Sequence, residues 1–115
     1  MKLADIVGSV HIDPRKLTHY ALDADSPLGK HKAVLFERRL GFTKENHAAL
    51  LRQLAEGAML AEVTLHSEDS FGARYTADIQ VKGTEERRAV VRTGWIVPPG
   101  SSEAHLITLY VKMKI

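Results

Sequence analysis

The chain has 115 residues and no cysteine; 44% of its residues are hydrophobic and its formal charge is +2. That length fits one domain, read as residues 1–115, around one modest core. Disulfides and thiolate metal sites are excluded, and general disorder is not expected at this hydrophobic content. No apolar run approaches the roughly 20 residues that span a bilayer, and the N-terminal apolar stretch is too short for a signal peptide. The expected compartment is therefore the cytoplasm, with no membrane partner. A sequence pI near 9.0 permits nucleic-acid binding without demanding it.

Leu3 to Ile12 alternates loosely and reads as a short strand or an extended arm. Asp13-Pro14 pairs a capping residue with a proline suited to a first helical position, and predicts a short helix to about Leu22. Asp23 to Ser26 is a polar loop. Ser26 and Pro27 then predict a helix start, and Gly41 a stop just after Arg38 and Arg39, whose charges suit the end of the dipole. At helical spacing Leu28, Leu35, Phe36 and Leu40 share one face. Lys32 projects near the middle of that apolar arc, with His31 at its edge and Arg39 also within it. Lys32 either snorkels to water or lines a cleft between this helix and a sheet. In the cleft, partial desolvation would lower its pKa and suit it to phosphate binding or proton transfer. Thr43 predicts the cap of another helix running to about Ala58, with a stripe of Leu50, Leu51, Leu54, Ala55 and Ala58.

Beyond residue 58 the apolar period falls from 3.6 to 2. Ala61, Val63 and Leu65 alternate with polar residues, Glu68 to Gly72 reads as a turn, and Ala73 to Lys82 as a second strand. Gly83-Thr84 predicts a hairpin to a third strand, Arg88 to Val97. A fourth, His105 to Met113, would place Ile107, Leu109, Val111 and Met113 on one face. The predicted class is α+β: two to three N-terminal helices packed on one face of a four-stranded antiparallel sheet. The opposite face would carry Arg74, Thr76, Asp78, Thr108 and Tyr110. Arg92 joins them if Val91, Thr93 and Trp95 face the core, and a one-residue bulge would swap the two sets.

The six histidines are scattered, with no i, i+4 pair inside a predicted helix, so no metal site is expected. Gly-rich phosphate loops and serine-hydrolase motifs are absent, and no cofactor is expected. What remains is a basic, hydroxyl-bearing and aromatic set: His19, His31, Lys32, Arg74, Arg92, Thr93, Trp95, Thr108 and Tyr110. Metal-independent RNA cleavage needs such groups. A base removes the 2′-hydroxyl proton, an acid protonates the leaving 5′ oxygen, cations hold the phosphate, and an aromatic ring stacks a base. Each of these residues also has an ordinary structural use, so only their convergence would carry the reading.

Several spaced elements carry a family resemblance. They are Tyr20-Ala21-Leu22, Pro27-x-Gly29-x-x-Lys32-Ala33, Leu40-Gly41, Trp95-Ile96, and Thr108-x-Tyr110. Over about residues 13 to 111 the chain resembles a small bacterial domain family of unknown function. Similar elements occur in polymorphic-toxin and phage-associated domains of the barnase/EndoU/colicin/RelE-like ribonuclease fold. The resemblance implies a toxin-type, metal-independent endoribonuclease acting on RNA and held in check by a cognate immunity or antitoxin protein. It implies Lys32, Arg92, Thr108 and Tyr110 as catalytic candidates. His31 is a local addition, and Arg74 and Trp95 are candidates for RNA binding. The competing reading is a non-catalytic α+β domain that binds a protein partner in a two-gene system. The sequence carries no signal for oligomeric state.

Overall fold

In the computed structural model, which describes residues 1–112, the first strand precedes every long helix. This strand, β1 (Ser9–His11), comes from the loosely alternating N-terminal stretch. It is followed by a wide π-helical turn at Leu17–Ala21, then by α1 (Lys30–Leu40) and α2 (His47–Leu60). The remaining strands are β2 (Val63–Asp69), β3 (Gly72–Lys82), β4 (Arg88–Val97) and β5 (Glu103–Val111). They form one five-stranded sheet in the order β1-β5-β4-β3-β2.

The expected four-stranded antiparallel sheet is therefore corrected to a five-stranded mixed one, because β1 pairs parallel with β5, Ser9 opposite Glu103 and His11 opposite His105. The layer of two to three N-terminal helices is corrected as well. Only α2 is long, α1 has 11 residues, and the expected Asp13–Leu22 helix contracts to the π turn. A three-residue parallel strand has too few side chains to show a period, and its partner lies at the far end of the sequence.

α1 begins at Lys30, not at Pro27. Ser26 Oγ still accepts a bond from the Gly29 N–H at 3.1 Å, but within a turn ahead of the helix. Leu28, expected on the apolar face, lies in that turn and is 82% exposed. The stop at Gly41 is as expected: its φ of 75° is left-handed, and its N–H bonds back to Glu37 O. α2 buries Leu50, Leu54 and Ala58 as the stripe predicts, and continues to Leu60.

The core lies between these helices and the sheet face bearing Ala77, Ile79, Val81, Val91, Trp95 and Leu109. α2 packs on β3 and β1, and α1 on β5 and β4. Thr93 is buried among them. Its hydroxyl donates to Ala77 O at 2.8 Å and accepts from Trp95 Nε1 at 2.7 Å, so both polar groups are satisfied. Arg92, between Val91 and Thr93, therefore faces the other way. A bulge does occur, but on β5. Gly94 pairs with Thr108 and Trp95 with Leu106, leaving Ile107 as the extra residue. Leu106, Leu109 and Val111 are consequently buried while Ile107 is half-buried. Met113 lies outside the described residues.

Candidate functional site

Lys32 is the third residue of α1, one turn before the buried Phe36, so its side chain leaves the helix toward β5. There Nζ donates to the Tyr20 hydroxyl and, at 3.0 Å, to Thr108 Oγ1. It also lies 4.5 Å from the centre of the Tyr20 ring and 5.7 Å from that of Tyr110. Lys32 is thus half-buried in a cleft between helix and sheet, as the second of the two readings of its position requires.

Gly29 makes the approach. A Cβ at this position would stand 1.8 Å from the backbone oxygen of Tyr20. Only glycine lets the start of α1 sit against the π turn, and that contact puts Lys32 within reach of Tyr20. The Pro27-x-Gly29-x-x-Lys32 spacing thereby acquires a steric meaning.

The partners of Lys32 are neutral oxygens and aromatic faces. Among the described residues no carboxylate forms an ion pair with it. Burial alone would push the Tyr20 phenol up. The hydrogen bonds to Lys32 and Thr108, with the ammonium charge, outweigh it and hold Tyr20 below the ordinary tyrosine value.

Next along the sheet, Tyr110, Arg92 and Asp78 form one cross-strand row. Arg92 grips Asp78 through two bonds of 2.8 and 3.1 Å, and Lys112 Nζ reaches the same carboxylate at 3.1 Å. Asp78, then the Tyr110 hydroxyl, hold the Arg92 proton more firmly than usual. The Arg92 bond draws the Asp78 carboxyl below its ordinary range, against partial desolvation and with help from Lys112.

Of the residues singled out in the sequence, Lys32, Thr108, Tyr110 and Arg92 converge. The others do not. His31 is exposed and makes none of the cluster's hydrogen bonds. Arg74 is paired to Asp69 at 2.7 Å, four residues along β3 from Asp78, or roughly 13 Å. Trp95 is fully buried, so its ring offers no face to a base. His19 is exposed, with Nδ1 2.8 Å from Thr18 Oγ1. Tyr20 entered the sequence reading only as part of a motif. Its place twelve residues before Lys32, with Gly29 between them, was the available signal.

No group of three or more His, Asp or Glu is arranged to hold a metal among the described residues, and no helix there is long and apolar enough to cross a membrane. Neither a curated protein nor a solved structure matches the chain. The model of a family described as a domain of unknown function, DUF6883, matches residues 2–113, and the chain belongs to that family.

Proposed function

We infer that the protein is a metal-independent endoribonuclease of the toxin type, with its site at Lys32. The observation that carries the reading is a half-buried ammonium whose hydrogen-bond partners are two hydroxyls and which has no carboxylate partner among the described residues. Such a charge is left to an incoming anion, and it draws the pKa of the neighbouring phenol downward, the direction a general base at this position needs.

In this mechanism Lys32 binds the scissile phosphate. Ionised Tyr20 takes the proton of the 2′-hydroxyl, whose oxygen attacks phosphorus. The P–O5′ bond breaks, leaving a 2′,3′-cyclic phosphate and a 5′-hydroxyl, and the leaving oxygen takes its proton from the Lys32 ammonium. Thr108 orients Lys32. Arg92 offsets charge on the crowded phosphorane, and the Tyr110 ring, 38% exposed, is the surface on which a base stacks. An immunity or antitoxin protein would silence the enzyme by covering this cleft.

The test is incubation of total RNA with purified protein in excess EDTA. Wild type should fragment RNA and leave cyclic phosphate ends, and Lys32→Ala should lose at least 100-fold in rate, on the order of one general acid or base. Absence of cleavage at high protein concentration would favour the non-catalytic, partner-binding reading.

A further inference from the structure

A second cleft opens at the end of the sheet, where β3, β4 and β5 meet the last turn of α1. Its volume is about 430 Å³. Four cations line it, Arg39 from α1 and Lys82, Arg88 and Lys112 from the sheet, with Val81, Val90 and Val111 among its apolar residues and no carboxylate among the described residues. All four cations are exposed. Among the described residues Arg39, Lys82 and Arg88 have no acidic partner, although the chain as a whole has 14 acids for 16 Lys and Arg. Lys112 pairs with Asp78, and Glu85 in the adjoining hairpin pairs with Arg87, so three of the four cations are left to an outside anion.

The cleft is joined to the Lys32 site. Lys112 lines it and reaches Asp78, which holds Arg92 beside Tyr110. Lys82 pairs across strands with Arg88, and Arg92 with Tyr110, four residues further along β4, so the two cation clusters lie roughly 13 Å apart. Two to three nucleotides of an extended single strand, at ~6 Å per phosphate, cover that distance.

We propose that this cleft is a second phosphate-binding subsite, which takes the backbone of a single-stranded RNA two to three nucleotides from the phosphate beside Arg92. The proposal rests on the ribonuclease reading for the identity of the strand, but it concerns binding and can be tested without cleavage. An acidic protein segment is the competing occupant. The spread of cations over the ends of β3, β4 and β5 and the last turn of α1, with the half-buried Val90 between them, fits a flexible polyanion whose phosphates and bases alternate.

The experiment measures fluorescence anisotropy of a labelled, 2′-deoxy-substituted, uncleavable oligonucleotide at several salt concentrations. Lys82→Glu/Arg88→Glu is compared with wild type and, as a second variant on a separate element, with Arg39→Ala; circular dichroism verifies folding. The expected result is a loss of affinity on the order of tenfold for the double variant. Its log–log salt slope should flatten by roughly 0.7 for each phosphate that is no longer neutralised. An oligomer shortened to two nucleotides should no longer distinguish the variants. Cleavage at saturating RNA should persist in Lys82→Glu/Arg88→Glu and fail in Lys32→Ala. If wild type binds the oligonucleotide and the variants weaken it but no RNA is cut, the subsite stands and the enzymatic reading falls. Unchanged affinity in both folded variants would overturn the subsite, as would competition by polyglutamate but not by RNA.

Discussion

At the scale of single residues the proposed chemistry rests on Tyr20 and Lys32. A phenol accepting from an ammonium in a half-buried cleft loses its proton more readily, and the sign of that effect is open to measurement. The rate of RNA cleavage should rise with pH along a limb centred below the ordinary tyrosine value of about 10. Tyr20→Phe should abolish that limb while leaving the fold intact; a limb that survives in Tyr20→Phe would remove Tyr20 as the base. Linkage gives stability the same direction. Because the folded value is depressed, the contribution of Tyr20 is fully present above about pH 10 and is lost as pH falls through the lowered folded value. Lys32 was legible in the sequence because a charge inside an apolar arc demands an account. Tyr20 was legible only as part of a spaced motif, since nothing local says that a residue on one short turn will meet a side chain on the next helix. Trp95 shows the converse: an aromatic in a strand reads equally as platform or core, and only the partner for its Nε1–H, the buried Thr93 hydroxyl, separates the two.

Gly29 acts at the scale of elements, because it fixes how closely α1 approaches the π turn. Its φ of −105° needs no glycine; the requirement is for space against the Tyr20 carbonyl. Gly29→Ala should force the two elements apart, costing about 1–3 kcal/mol as overpacking does. Spectrophotometric titration of the variant should show Tyr20 moving back toward about 10, together with a drop in cleavage. Leu28→Ala, in the same turn but exposed, should change neither. A Gly29→Ala protein that kept both the titration and the activity would show that the close approach is incidental. α2 and the long strands were legible from the sequence because stripes such as Leu50, Leu54 and Ala58, or Ala77, Ile79 and Val81, repeat often enough to fix a period, whereas the expected Asp13–Leu22 helix had no such stripe. β1 has only three residues, and the Ile107 bulge resets the phase of β5 midway. Both depend on pairing with distant chain, which a local period does not encode.

For the molecule as a whole the formal charge is only +2, too little to drive binding to a polyanion by a diffuse field. Any affinity for RNA must come from where the charges stand. Asp78 is then the residue that limits it, because one carboxylate compensates Arg92 and Lys112 at the junction of the two basic clusters. Its removal should move stability and binding in opposite directions. Asp78 is one-third exposed, so solvent screening keeps the value of its ion pairs to about 0.2–1 kcal/mol. Asp78→Asn should therefore lower Tm by no more than roughly 5 °C. The same variant frees two cations and should bind the uncleavable oligonucleotide several-fold more tightly, with a steeper salt slope. Acidification should not imitate it at mild pH. The Asp78 carboxyl is held below its ordinary range, so its contribution is present above an unfolded value of about 3.9 and is lost only as pH falls through the lower folded value. At pH 5 the wild-type protein should keep its weaker binding while Asp78→Asn keeps its gain. If Asp78→Asn loses stability and gains no affinity, Arg92 and Lys112 serve the sheet alone, and the basic strip ends at Tyr110.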